Sequence, residues 1–127
     1  MTKDELTPSE TLIMKSIWDD AGEELSLSEI LERVNRTYSK DWKSQTVSTF
    51  LAKLVQKGYV KMKRQGRRIA YEILVKEEDY SAWQADQFVE FWNDGSIGQF
   101  LTAFYRDKKA TKEEIEELRR IIDELDD

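Results

Sequence analysis

Cysteine and histidine are both missing from these 127 residues. Without cysteine there is no disulfide, no thiolate metal site and no thiol nucleophile. Without histidine, the commonest general base and the commonest metal ligand are gone as well. Proline occurs once and glycine five times, so little of the chain is barred from helix. No apolar run approaches the ~20 residues of a membrane span, and no signal peptide opens the chain. The expectation is a cytoplasmic protein with no membrane insertion. Carboxylate pairs such as Asp19/Asp20 and Glu113/Glu114 fall in capped helix turns or on solvent faces, where interaction with the helix dipole accounts for them. No calcium-loop pattern surrounds the acidic residues Glu116, Glu117, Asp123, Glu124, Asp126 and Asp127, and no glycine loop cradles phosphate. Catalysis, a metal and a cofactor are therefore not expected.

What is present is charge and aromatic surface. Charged residues make up 36% of the chain, and four Trp, five Tyr and five Phe supply enough apolar area to drive a core. The net charge of −6 hides a division. Residues 1–75 carry a net +2 and residues 76–127 a net −8. Between 33 and 68 the bases Arg33, Arg36, Lys40, Lys43, Lys53, Lys57, Lys61, Lys63, Arg64, Arg67 and Arg68 face a single acid, Asp41. Such a block concentrates positive field on an otherwise acidic molecule.

Capping signals divide the chain. Thr7-Pro8-Ser9-Glu10 places a capping hydroxyl, a proline at the first helical position and a reciprocal glutamate. The helix it starts runs to about Asp19, turns Leu12, Ile13, Ile17 and Trp18 inward, and ends at Ala21-Gly22. Ser26-Leu27-Ser28-Glu29 opens a second helix with Leu27, Ile30, Leu31 and Val34 on its apolar face, and Thr37 to Asp41 reads as a connection. A third helix starts near Lys43 or Ser44 and runs to Lys57. Val47, Phe50, Leu51, Leu54 and Val55 lie on one face, and Gly58 suits the left-handed position after its end. The period then changes to two. Tyr59–Arg64 alternates apolar and basic, Gln65-Gly66-Arg67-Arg68 is a turn, and Ile69–Val75 returns. Three helices followed by a basic hairpin is the order of a winged helix-turn-helix, with the hairpin as the wing. The expected fold is mainly α with this one hairpin, a winged-helix domain over 1–76 and a helical domain over 77–127.

Within that order, one face of the third helix is polar, short-chained and almost free of acids. Gln45 can pair bidentately with adenine, Thr46, Ser48 and Thr49 can reach bases or phosphates, and Lys43 and Lys53 flank them as phosphate clamps. The wing adds Lys63, Arg64, Arg67 and Arg68 for the adjacent backbone or minor groove. The rival reading is a winged helix used as a protein-interaction module, which has little need of eleven bases against one acid. Beyond residue 76, a helix over Glu78–Asn93, one capped by Ser96 and one opened by Thr111-Lys112-Glu113-Glu114 carry more aromatics than about fifty residues can bury alone. Tyr80, Trp83, Phe88, Phe91, Trp92, Phe100, Leu101 and Phe104 are expected to pack against a second copy.

Leu6-Thr7-Pro8-Ser9-Glu10 with Ile13-Met14 and Ile17-Trp18 resembles the opening of the BlaI/MecI/CopY family of bacterial repressors. Trp42 through Gly58, with Thr46-Val47, Thr49-Phe50-Leu51 and Leu54-Val55-Gln56-Lys57-Gly58, is similar too. The likeness continues through the wing, Tyr71, Val75–Asp79 and Gly95 to Glu113–Arg119. It implies an N-terminal winged helix on double-stranded operator DNA and a C-terminal domain that holds a homodimer. In the β-lactamase-regulator branch it further implies a membrane sensor protease and a cut just before a Phe. That bond is Ala103–Phe104 here, with Ala103 where the family has Asn. Copper sensing through the family's C-terminal cysteine motif is excluded. Where the antibiotic-resistance members carry bases near the start of the recognition helix, this chain has Gln45 and Ser48.

Overall fold

The computed structural model describes residues 4–19 and 24–126. The expected stop at Ala21-Gly22 lies outside them. The elements are α1 (Pro8–Trp18), β1 (Leu25–Ser26), α2 (Leu27–Tyr38), α3 (Ser44–Lys57), β2 (Val60–Gln65), β3 (Arg68–Ile73), α4 (Glu77–Asn93), α5 (Ile97–Phe104) and α6 (Lys112–Leu125). All three capping boxes form: Thr7 with Glu10, Ser26 with Glu29, and Thr111 with Glu114 each exchange backbone and side-chain bonds. The chain divides into two compact units, residues 1–83 and 84–127.

In the first unit α1, α2 and α3 close around one core. Ile13, Met14 and Ile17 of α1, Ile30 and Val34 of α2, and Val47, Leu51 and Leu54 of α3 are completely buried. Helical spacing put each of these except Met14 on the expected inward face. A small antiparallel sheet, ordered β1-β3-β2, completes the unit. Its first strand is two residues long, pairing Leu25 with Tyr71 and Ser26 with Ala70. Two residues leave no period to read, and Ser26 already serves as the α2 cap, so the reading from sequence passes over β1.

The hairpin differs in detail from its expected form. Gln65 pairs with Arg68, so the loop is only Gly66-Arg67. Gly66 has φ 65°, the conformation a two-residue hairpin loop takes at its first position when that residue is glycine. Along β2 only Val60 is buried, while Met62 is 55% exposed. The alternation is real, but the hairpin projects past the core and leaves its second apolar residue in solvent. Tyr59 is not in the strand. It follows Gly58, at φ 84°, and its buried ring ends in a hydroxyl that donates to the Asp4 carbonyl. Burial pushes this phenol up to about 12. Thr37 and Tyr38, expected in a connection, extend α2 to its end.

The division between the compact units falls after Trp83, seven residues past the boundary expected at residue 76. Tyr80 is buried against Trp18 and Tyr59, with ring centroids 5.9 and 5.7 Å away. Its hydroxyl accepts the Leu6 amide at 3.0 Å. Trp83 lies tilted against Tyr80, ring centroids 5.7 Å apart, and packs against the same core. The Trp18 indole donates to the Val75 carbonyl at 2.9 Å, fixing the approach to α4. Tyr80, expected to meet a second copy, is thus buried in the first unit by these rings and the Leu6 bond, and Trp83 is half-buried beside it. Buried Glu10 pairs with Lys57 at 2.7 Å, joining the start of α1 to the end of α3. Burial pushes the Glu10 carboxyl up, but bonds from Lys57 and Thr7 outweigh it and the net direction is downward.

The second unit has no completely buried apolar side chain among the described residues. Phe91 is 77% and Trp92 67% exposed, and Phe88, Ile97 and Phe104 also stand open.

Two stability outcomes follow from the Tyr80 seat. Tyr80→Phe strands the Leu6 amide and lowers urea stability by about 1–3 kcal/mol. A fragment ending at Trp83 withstands more urea than one ending at Lys76, by about 3 kcal/mol or more, since the shorter one lacks two packed aromatic side chains.

Candidate nucleic-acid interface

The interface is built on α3 and on the turn that delivers it. α2 ends at Ser39, which adopts a left-handed conformation at φ 54°. Asn35 then clamps the incoming chain: its side-chain amide donates to the Trp42 carbonyl and accepts from the Trp42 amide, both at 3.0 Å. The half-buried Trp42 ring lies 5.3 Å from Phe50 of α3, and the Lys40 ammonium is 6.0 Å from the Trp42 ring centroid. Sequence reasoning missed Asn35, since a lone Asn inside a helix has no period and its partner lies seven residues on.

With Val47, Leu51 and Leu54 inward, Gln45, Ser48, Thr49, Ala52 and Lys53 face out, and Thr46 is half-exposed. The Thr49 hydroxyl donates to the Gln45 carbonyl at 2.9 Å, so it offers a partner its lone pairs and methyl group. Lys43 is the N-cap residue and gives no side-chain cap bond, and no acid lies in the first turn of α3. The positive end of this helix therefore has no carboxylate upon it, which suits an approaching phosphate. Lys43 stands 3.7 Å from Asp41, both well exposed. Lys53 has no partner among the described residues.

On the wing, Lys63, Arg64, Arg67 and Arg68 are all exposed, but they are not equivalent. Lys63 reaches Glu24 at 3.2 Å, and Arg68 pairs with Glu29. Arg64 and Arg67 have no partner among the described residues. Lys61 is opposed by Glu72 at 3.3 Å. The four outward polar groups of α3, its two flanking lysines and the four wing cations all fall in the first unit.

The remaining expected residues lie in the second unit. Phe88 and Phe100 meet edge to face at 6.1 Å, and Phe100 stacks on Phe104 at the same distance. With Trp92, Asn93 and Ala103 they line an apolar groove of about 380 Å³. Leu101 is half-buried and Phe91 projects into solvent. The Ala103–Phe104 bond sits in the last turn of α5, with Ala103 exposed and the Lys108 ammonium 3.7 Å from the Phe104 ring centroid. Of the acidic pairs noted in the sequence, Asp20 and Asp127 lie outside the described residues. Among the described residues no group of acidic side chains is placed to hold a metal ion, and no helix is long and apolar enough to cross a membrane.

A family model described as penicillinase repressor matches residues 6–124. The chain belongs to this family. Its members are transcriptional repressors, not enzymes. The penicillinase repressor of Bacillus licheniformis is 25% identical over 120 residues, covering 94% of this chain and 91% of the relative. The methicillin resistance regulatory protein MecI of Staphylococcus aureus strain N315 is 27% identical over 118 residues, covering 93% of each. Among solved structures, the solution structure of monomeric Bacillus licheniformis BlaI in complex with the blaP half-operator aligns at a TM-score of 0.51 and 25% identity. It covers 62% of this chain and 92% of that one. Its fold agrees with the winged helix described above.

The clamp and the face it presents differ in what they contribute to stability. Asn35→Ala removes two bonds to one backbone residue and lowers urea stability by about 1–3 kcal/mol. Ser48→Ala, on the outward face, leaves it within about 0.5 kcal/mol.

Proposed function

We propose that this chain is a cytoplasmic DNA-binding transcriptional repressor acting as a homodimer on a palindromic operator. The observation that carries the reading is the outward face of α3. Gln45, Thr46, Ser48 and Thr49 lie there with no acid among them, flanked by Lys43 and Lys53 and continued by Arg64 and Arg67 of the wing, in a chain of the penicillinase repressor family. That BlaI was solved on its half-operator supports the same docking here.

In this docking α3 lies in the major groove, where side-chain amides and hydroxyls can tell base pairs apart. Lys43, Lys53 and, on the wing, Arg64 and Arg67 contact phosphates, which fixes register without reading sequence. Each phosphate neutralised releases counterions, and this supplies affinity that salt removes. The stripes of exposed Phe88, Phe91, Trp92 and Phe104 with half-buried Phe100 and Leu101 favour a twofold partner carrying the same stripes, removing apolar surface from water at roughly 25 cal/mol per Å². Joining two recognition helices makes the second half-site contact intramolecular. Release follows the route the family resemblance implies, with a membrane sensor protease cutting Ala103–Phe104. Such a cut would divide α5 from α6 and undo the unit that holds the pair together.

Four measurements test the reading. Affinity for any duplex falls steeply with salt, and Arg67→Ala flattens the dependence by about one unit on all sequences alike; a salt-independent affinity contradicts the proposal. Gln45→Ala loses about 1–3 kcal/mol of discrimination at one base position when operators are selected from random DNA. By light scattering the full chain is a dimer and a fragment ending at Trp83 a monomer. Inserting about half a helical turn between half-sites abolishes most full-length binding. A monomeric full chain, or indifference to that insertion, removes the dimer from the proposal.

A further inference from the structure

The two faces of the β2–β3 hairpin carry their charge differently. Residues opposite one another in an antiparallel pair share a face. Lys63 and Ala70, and Gln65 and Arg68, therefore lie on one side, with Met62 and Tyr71, and Arg64 and Ile69, on the other. Lys61 and Glu72 share the first side, paired at 3.3 Å, and its other two cations are also engaged within the protein. Lys63 Nζ lies 3.2 Å from Glu24 Oε1. One guanidinium nitrogen of Arg68 donates to the Glu24 carbonyl at 2.8 Å and also to the Glu29 carboxylate.

The acceptors are held as firmly as the donors. Glu29 Oε1 also accepts the Ser26 amide at 2.9 Å in the α2 capping box. Bonds from the Ser26 amide and hydroxyl, with Arg68 and Arg33 nearby, hold its carboxyl below the usual carboxylate range. Glu24 Oε2 is buried with no hydrogen-bond partner among the described residues, and the Lys63 cation lies beside its other oxygen as counter-charge. If Lys63 and Arg68 swung out to phosphates, two carboxylates would be left bare on the surface that meets a polyanion. That arrangement is penalised twice, by the lost pairs and by like-charge repulsion.

We infer that Glu24 and Glu29 are positioning residues of the wing, holding Lys63 and Arg68 against the start of α2 while DNA is bound and leaving Arg64 and Arg67 as the cations the wing presents to phosphate. The inference rests on the DNA-binding reading above. It makes the sequence-independent share of affinity smaller than the number of wing bases implies. Discrimination is then left to the outward face of α3.

The test uses the full chain and a duplex of arbitrary sequence, with binding followed by fluorescence anisotropy across a salt series. Glu24→Gln with Glu29→Gln removes both counter-charges, and glutamine at 29 keeps the capping acceptor. The expected result is tighter binding at low salt and a log–log salt dependence steeper by about 1.8, from two released cations at about 0.9 each. Glu24→Gln alone, which disturbs no helix cap, steepens it by about half as much. If the original chain binds with a steep salt dependence and both variants show the same slope, Lys63 and Arg68 were already on phosphate and the inference is overturned. If the original chain shows no salt-dependent binding at all, the DNA-binding reading fails first. The two failures are therefore told apart by the original chain alone.

Discussion

Everything α3 presents outward follows from what it buries. Val47, Leu51 and Leu54, spaced four and three apart, are completely enclosed between α1 and α2, each worth roughly 1.5–3 kcal/mol of transfer. A rotation of α3 about its axis would bring at least one of them into water. Gln45, Ser48, Thr49 and Lys53 are thereby held to the opposite side, with no contact of their own needed to keep them there. Asn35 fixes the remaining freedom, the direction of entry, by gripping both polar groups of the Trp42 backbone. The Glu10–Lys57 pair ties down the far end of the same helix. The presented surface is rigid because its reverse side is packed and both ends are tied.

Much of this was legible in the residues. The three capping boxes, the inward faces of α1 to α3 and the change of period at the wing are local signals, each written within a few neighbouring residues. The winged order followed from them directly. What escaped the reading is non-local. β1 exists only because Tyr71 and Ala70 are there to pair with it. Tyr80 and Trp83 have the same aromatic spacing as Phe88 and Phe91, and period alone cannot say which surface a stripe meets. The decisive fact was the Leu6 amide, 74 residues earlier, waiting for a hydroxyl. The candidate interface divided in the same way. Its polar face on α3 was plain from helical geometry, whereas the pairing of Lys63 and Arg68 with Glu24 and Glu29 required the fold to bring the hairpin beside the start of α2.

Charge along the chain now has a structural sense. The bases gathered between residues 33 and 68 are not one uniform patch: some lie unopposed on α3 and the wing, and others are answered one for one by carboxylates such as Glu24, Glu29 and Glu72. The acidic second unit, with its aromatic side chains open to solvent, has the opposite character. One unit has a satisfied core and a polar outward face on α3; the other has apolar surface open to solvent.

The outward positions of α3 support nothing in the core, and this shapes how such a protein can change over generations. A substitution at Gln45 or Ser48 leaves the fold as stable as before, so this face can change its chemistry without first acquiring compensating changes elsewhere. Asn35, Val47 and Leu51 have no such liberty, because each is held by the interior. A lineage built on this scaffold would be expected to keep its frame and vary its address.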